Sequence, residues 1–95
     1  MSLEKCLQSE VNIKIIKFFL ENPSCIDNSR GISTWINVNI EKTERALKKL
    51  VEASILIPHG EARTLAYSYT NDKKLLSRIK VSLNKIDLKR KKKYH

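Results

Sequence analysis

Residues 31–57 read GISTWINVNIEKTERALKKLVEASILI, and their punctuation decides how the chain is divided. Asn37-Val38-Asn39 is a tight break between two helical patterns. Asn tolerates the left-handed conformation better than any residue but Gly, so Asn37 stops one helix, and Asn39 opens the next as its N-cap. Before the break, Ile32 and Ile36 fall one turn apart, and Asp27 is placed to cap their helix. Gly31 inside it costs about 1 kcal/mol of helix propensity, which suggests a close approach to another element. After the break, a helix runs from Ile40 to about Ala53. Thr43, Ala46, Leu47, Leu50 and Val51 form its inner stripe, and Glu41, Lys42, Glu44, Arg45, Lys48, Lys49 and Glu52 its outer face. Ser54 occupies a position where glycine often ends a helix.

Upstream, Glu10 to Asn22 has helical spacing. Val11, Ile15, Ile16, Phe19 and Leu20 share a wide apolar face, Ser9 is the N-cap, and Pro23 ends the helix. Residues 1–9 form an N-terminal arm, with Leu3, Leu7 and Val11 at helical spacing. Ser24-Cys25-Ile26 is a short extended piece at most.

Downstream, Ile55-Leu56-Ile57-Pro58 and residues 64–70 are β-branched and aromatic segments around a Gly-containing turn, which predicts a β-hairpin. Leu65, Tyr67 and Tyr69 share one face of its second strand. Asn71 or Asp72 caps a fourth helix over residues 71–88. Its Leu76, Ile79, Leu83 and Ile86 are spaced as an a/d seam. Residues 89–95, with Lys89, Arg90, Lys91, Lys92 and Lys93, form a basic tail expected to be disordered.

Ninety-five residues make one domain. Two glycines and two prolines favour helices over a many-turned β-fold. No apolar run is long enough to span a bilayer, and no charged segment followed by an apolar one opens the chain as a secretory signal. Two cysteines and two histidines, scattered, do not form a zinc motif. They fit reduced thiols in a cytoplasmic protein, with no cofactor expected. The net charge of +9 is unevenly placed. Residues 1–70 hold nine Lys/Arg against eight Asp/Glu, and residues 71–95 hold ten against two. Such asymmetry points to a polyanion meeting the C-terminal quarter, nucleic acid ahead of an acidic membrane surface.

The order of elements is helix, short extended piece, helix, tight turn, helix, hairpin, helix. With RALKKL in the third helix and an apolar strand after it, residues 10–70 resemble the winged helix-turn-helix family of transcription regulators. The resemblance implies a mainly α (α+β) fold of three helices and a β-hairpin wing, here with an extra C-terminal helix. It implies double-stranded DNA as partner, with the third helix in the major groove. Lys42 and Arg45 would then face base edges, and Lys48 and Lys49 phosphates. Arg63 near the wing turn and Arg30 near the start of the second helix would touch the DNA backbone. The tail would bind phosphates without reading sequence. Members of the family often dimerise through terminal helices, so the seam of Leu76, Ile79, Leu83 and Ile86 is a candidate homodimer contact.

Alternatives stand beside each role. The outer face of the third helix is also readable as a solvated face held by Glu41–Arg45 and Glu44–Lys48 pairs. Its four cations against three acids are few for a DNA reader. Trp35 stands where the family pattern has a polar residue. It either packs under an added element, the arm or the fourth helix, or faces a protein partner. The seam docks either on its own chain or on a second copy. A winged-helix protein-interaction module with an incidental tail is therefore the competing function. RNA or ribosome association through the tail alone is a third. No Gly-rich phosphate loop, HExxH or GxSxG occurs, and Asp27, Ser29 and His59 do not form a known triad, so no enzyme is expected.

Overall fold

The computed structural model describes residues 2–92, with side chains as far as residue 88. The described residues form five α-helices and a three-stranded antiparallel sheet, a winged-helix-like α+β fold. The elements are α1 (Leu3–Cys6), α2 (Glu10–Glu21), β1 (Ile26–Asp27), α3 (Ser29–Ile36), α4 (Ile40–Glu52), β2 (Leu56–His59), a 3-10 turn (Ala62–Thr64), β3 (Ala66–Tyr69) and α5 (Lys73–Lys92).

The helix ends follow local chemistry. Ser9, Asn28 and Asn39 each accept, through a side-chain oxygen, a backbone N–H three residues on. Asn28, and not Asp27, is thus the cap of α3. Asp27 belongs to β1 and receives the Asn28 N–H at 2.8 Å. Its carboxylate also explains Gly31, because a methyl group there would run into it. The ends of α3 and α4 are alike. Asn37 (φ 57°) and Ser54 (φ 62°) are left-handed. Val38 N–H reaches Ser33 O and Ile55 N–H reaches Leu50 O, at 3.1 and 2.9 Å. This closes both helices in the Schellman manner, and Ile55 and Leu50 are both buried beside their closure. Ser54 thus adopts the left-handed backbone that glycine takes most readily.

In the sheet β3 is central, with β1 on one side and β2 on the other. Leu56 pairs with Tyr69 and His59 with Ala66. Pro58 is tolerated because β2 is an edge strand. Tyr67 and Tyr69 are buried, as the alternation predicts, and Tyr69 stacks on Phe19 with centroids 6.0 Å apart.

Three features of the core appear only once the elements are packed. Helix α2 buries Ile13 and Phe18 as well as Ile15, Ile16 and Phe19, because it is covered on several sides. The arm is ordered, with Leu3, Cys6 and Leu7 buried. Asn12 Nδ2 fastens it to α2 by donating to Cys6 O at 2.9 Å. Burial raises the Cys6 thiol pKa above its ordinary value.

Finally, the seam of the fourth helix is used within the chain. Ile79 and Leu83 are buried in this chain's own core, and Leu76 and Ile86 pack partly buried against it. Of the two readings of the seam, docking on its own chain accounts for Ile79 and Leu83, while Leu76 and Ile86 keep part of their surface open. Lys17 Nζ of α2 meets Asp87 Oδ1 of α5 at 3.2 Å at the edge of this packing. Helix α5 also continues to Lys92, into the first residues of the basic tail. Lys and Arg favour helix, and cations suit a helix C-terminus. Lys93, the last cation of the expected tail, lies outside the described residues.

Candidate nucleic-acid interface

Helix α4 presents Glu41, Lys42, Glu44, Arg45, Lys48, Lys49 and Glu52 to solvent. Among the described residues neither Glu41–Arg45 nor Glu44–Lys48 forms a salt bridge. The cations of this face are therefore not tied to acids of their own helix. Their directions differ from the sequence reading in one respect. Lys48 lies in a groove beside Pro58, Leu65 and Tyr67 of the wing. Lys49 lies against the arm, in a groove with Lys5, Gln8 and Asn12. The 100° step of a helix turns adjacent residues to different neighbours, so Lys48 and Lys49 do not form one cationic pair. Lys42, seven residues before Lys49, is on the arm side of the helix, and Arg45 lies between the two sides.

Between the start of α3, the wing and α4 lies a cleft of about 640 Å3. Asn28, Ser29 and Arg30 line it from α3 and its cap, Glu44 from α4, and Arg63 and Tyr67 from the wing. Arg30 and Arg63, far apart in sequence, are thus brought to one concavity, and both are exposed. Among the described residues Glu44 is its one lining carboxylate. Burial first and the Glu44 charge second raise the Tyr67 pKa, so the phenol stays protonated at neutral pH. The cleft offers two guanidinium groups and the positive end of α3, opposed by that acid.

The wing is held by its own hydrogen bonds. Glu61 N–H donates to Thr64 Oγ1 at 3.2 Å, and the Thr64 hydroxyl donates to Glu61 O at 2.9 Å. His59 Nε2 and Ser68 Oγ meet across the strands at 2.7 Å. Gly60 takes a left-handed backbone (φ 81°), and a Cβ there would strike the Thr64 carbonyl. The turn that carries Arg63 is therefore specified by the Gly60 and Thr64 positions.

A solved structure named "Possible transcriptional regulator from Methanosarcina mazei Go1" matches this chain with a TM-score of 0.66 at 16% sequence identity. The match covers 98% of this chain and 85% of that one. The two share a fold. No protein-family model matches the chain, and no curated protein matches it.

Other sequence-predicted residues fall elsewhere. Trp35 is not packed under the arm or α5. It is 67% exposed and rests on Phe18, with centroids 5.6 Å apart. Lys73, Lys74, Arg78, Lys80 and Lys85 of α5 are all exposed. The backbone of Lys89, Arg90, Lys91 and Lys92 extends α5. Sequence reasoning missed Asn28, Glu44 and Tyr67 as neighbours of the two arginines. Nothing local marks them, because the cleft is made by three elements meeting. Among the described residues no group of three His, Cys, Asp or Glu is placed to hold a metal ion. None of their helices is long and apolar enough to cross a membrane.

Proposed function

We propose that this chain is a DNA-binding winged-helix protein that acts in transcription regulation, with α4 in the major groove and the wing and basic C-terminus on phosphates. The observation that carries this reading is the cleft in which Arg30 and Arg63 converge at the start of α3, beside the exposed face of α4. A phosphate at that position would meet two guanidinium groups while the α4 side chains reach base edges. In α4, Arg45 is the base-reading candidate and Lys48 the phosphate contact on the wing side. Lys42 and Lys49 serve the flank that faces the arm. The shared fold with a possible transcriptional regulator agrees with this assignment.

Binding to duplex DNA across a salt series tests it. The full chain is compared with Arg30→Glu/Arg63→Glu, with Arg45→Glu/Lys48→Glu, and with a variant ending at Leu88. All four substituted side chains are exposed, and the described core contacts of α5 precede Leu88, so the variants keep the fold. The expected result is steep salt dependence. Each lost phosphate contact lowers the slope by about 0.9, and the variant ending at Leu88 keeps substantial affinity. Affinity that vanishes with the tail and ignores both double variants sinks the proposal.

One observation favours a second reading, a protein-interaction module. Trp35 is an exposed aromatic whose ring lies tilted against Phe18, on a body of nearly balanced charge. Such residues are frequent binding anchors. Under that reading Trp35→Ala abolishes partner binding, and the α4 reversals leave the tail's DNA affinity unchanged.

A further inference from the structure

A second cleft, of about 600 Å3, lies where the end of α2 meets the first turns of α5, on residues that the DNA reading does not use. Leu20 and Leu76 supply apolar surface, and Tyr69, Ser77, Lys73 and Lys80 line it as well. Among the described residues no Asp or Glu lines it. Lys73 and Lys80 are exposed and seven residues apart, on one side of α5. The volume falls within the range of small-molecule sites.

Tyr69 adds an independent observation. It is almost fully buried, and its hydroxyl has no hydrogen-bond partner among the described residues. Buried polar atoms are normally paired, so an orphaned hydroxyl needs an explanation. Burial holds it protonated, with its pKa pushed up to about 12, and it therefore has a proton to donate. The lysines are donors too, and Ser77 can donate its hydroxyl proton. A complementary ligand must bring acceptors, negative charge and an apolar body of modest size.

We propose that this cleft binds a small carboxylate-bearing molecule with a compact apolar body. The carboxylate sits between Lys73 and Lys80 and the body rests on Leu20 and Leu76. The Tyr69 hydroxyl, which is covered in the free chain, gains its missing acceptor when entry of the ligand uncovers it. The proposal does not depend on DNA binding.

The test is an NMR titration of the full chain with phenylacetate, observing the Leu20 and Leu76 methyl groups. The neutral analogue 2-phenylethanol and inorganic phosphate are the comparisons. Phenylacetate is expected to give saturable shifts at both methyl groups. 2-Phenylethanol should bind at least about tenfold more weakly, and phosphate should leave the methyl groups unmoved. Lys73→Glu/Lys80→Glu should weaken phenylacetate by about tenfold or more. Tyr69→Phe should weaken it severalfold and leave distant resonances in place. Equal binding of the acid and the alcohol overturns the proposal, as does unchanged affinity in the lysine variant. Methyl shifts caused by phosphate overturn it too, because the site would then be a general anion patch. So does the absence of saturable shifts up to about 20 mM phenylacetate, beyond the Kd range of weak specific ligands.

Discussion

At the scale of single residues, a few backbone positions and buried polar groups set the local stability. Ser54 holds a left-handed conformation (φ 62°) that costs a residue with a Cβ about 1–2 kcal/mol. Glycine relieves that cost but gives back part of the gain through the freer unfolded chain. Ser54→Gly is therefore expected to stabilise by about 0.5–1 kcal/mol, seen as a higher urea midpoint with unchanged slope. No gain would mean the serine hydroxyl contributes something the backbone geometry does not. Tyr69 makes a prediction about pH. Its folded pKa of about 12 lies above the unfolded value near 10. The neutral phenol is thus favoured in the fold. Its contribution is fully present below pH 10 and is lost as pH rises towards 12. Urea midpoints measured from pH 8 to 12 should fall over that window, and less steeply in Tyr69→Phe. At pH 7 Tyr69→Phe should cost little, because no hydrogen bond to the hydroxyl is lost. The Asn37 turn and the Asn39 cap were legible at this scale, since each depends on atoms within a few residues. The cap of α3 lies one residue beyond the position the sequence suggests. Asp27 and Asn28 are both good caps, and only the pairing of Asp27 with Tyr67 across β1 and β3 decides between them.

At the scale of elements, periodicity was a sound guide wherever one face meets one neighbour. The inner stripe of α4 is buried as spaced, with Thr43, Ala46, Leu47 and Leu50 inside. Periodicity understated α2, because Ile13 and Phe18 are covered by elements that a single-face pattern does not count. Leu47→Ala should cost about 2–5 kcal/mol, the usual penalty for truncating a fully buried leucine. The wing behaves differently, since its shape rests on hydrogen bonds within a short loop. Gly60→Ala meets both an unfavourable φ and the Thr64 carbonyl. It should destabilise by about 1–3 kcal/mol and displace Arg63. Denaturant unfolding measures the first effect, and backbone chemical shifts of residues 61–65 the second. Shifts confined to residue 60 would show that the loop absorbs the methyl group without moving the arginine.

At the scale of the whole molecule, α5 is the element whose packing periodicity left open. It is a part of the core that also carries the basic C-terminus. Ile79→Ala and Leu83→Ala should each cost about 2–5 kcal/mol of stability. They should leave the mass in solution, measured by light scattering, as it is in the parent chain. A change of oligomeric mass without loss of stability would return the seam to the role its spacing suggests. The Lys17–Asp87 pair, by contrast, is well exposed at both ends. Lys17→Ala should change stability by less than about 1 kcal/mol, as exposed pairs do. The candidate DNA surface also belongs to this scale. Arg30 and Arg63 were each readable as backbone contacts, but their convergence on one cleft with Glu44 depends on how α3, α4 and the sheet pack.

The order and type of the main elements, most of their caps, the turn between α3 and α4, and the inward face of the hairpin are all written in the amino-acid order. These follow from hydrogen bonds and side-chain spacings that close within a few residues, so the information is local. Three things emerge only once the elements pack: what covers the seam of α5, the exposure of Trp35, and the meeting of Arg30 with Arg63. An apolar stripe specifies that a face must be covered but not by what, because burial is non-directional and rewards any apolar partner alike. Only the packed arrangement of all the elements chooses the partner.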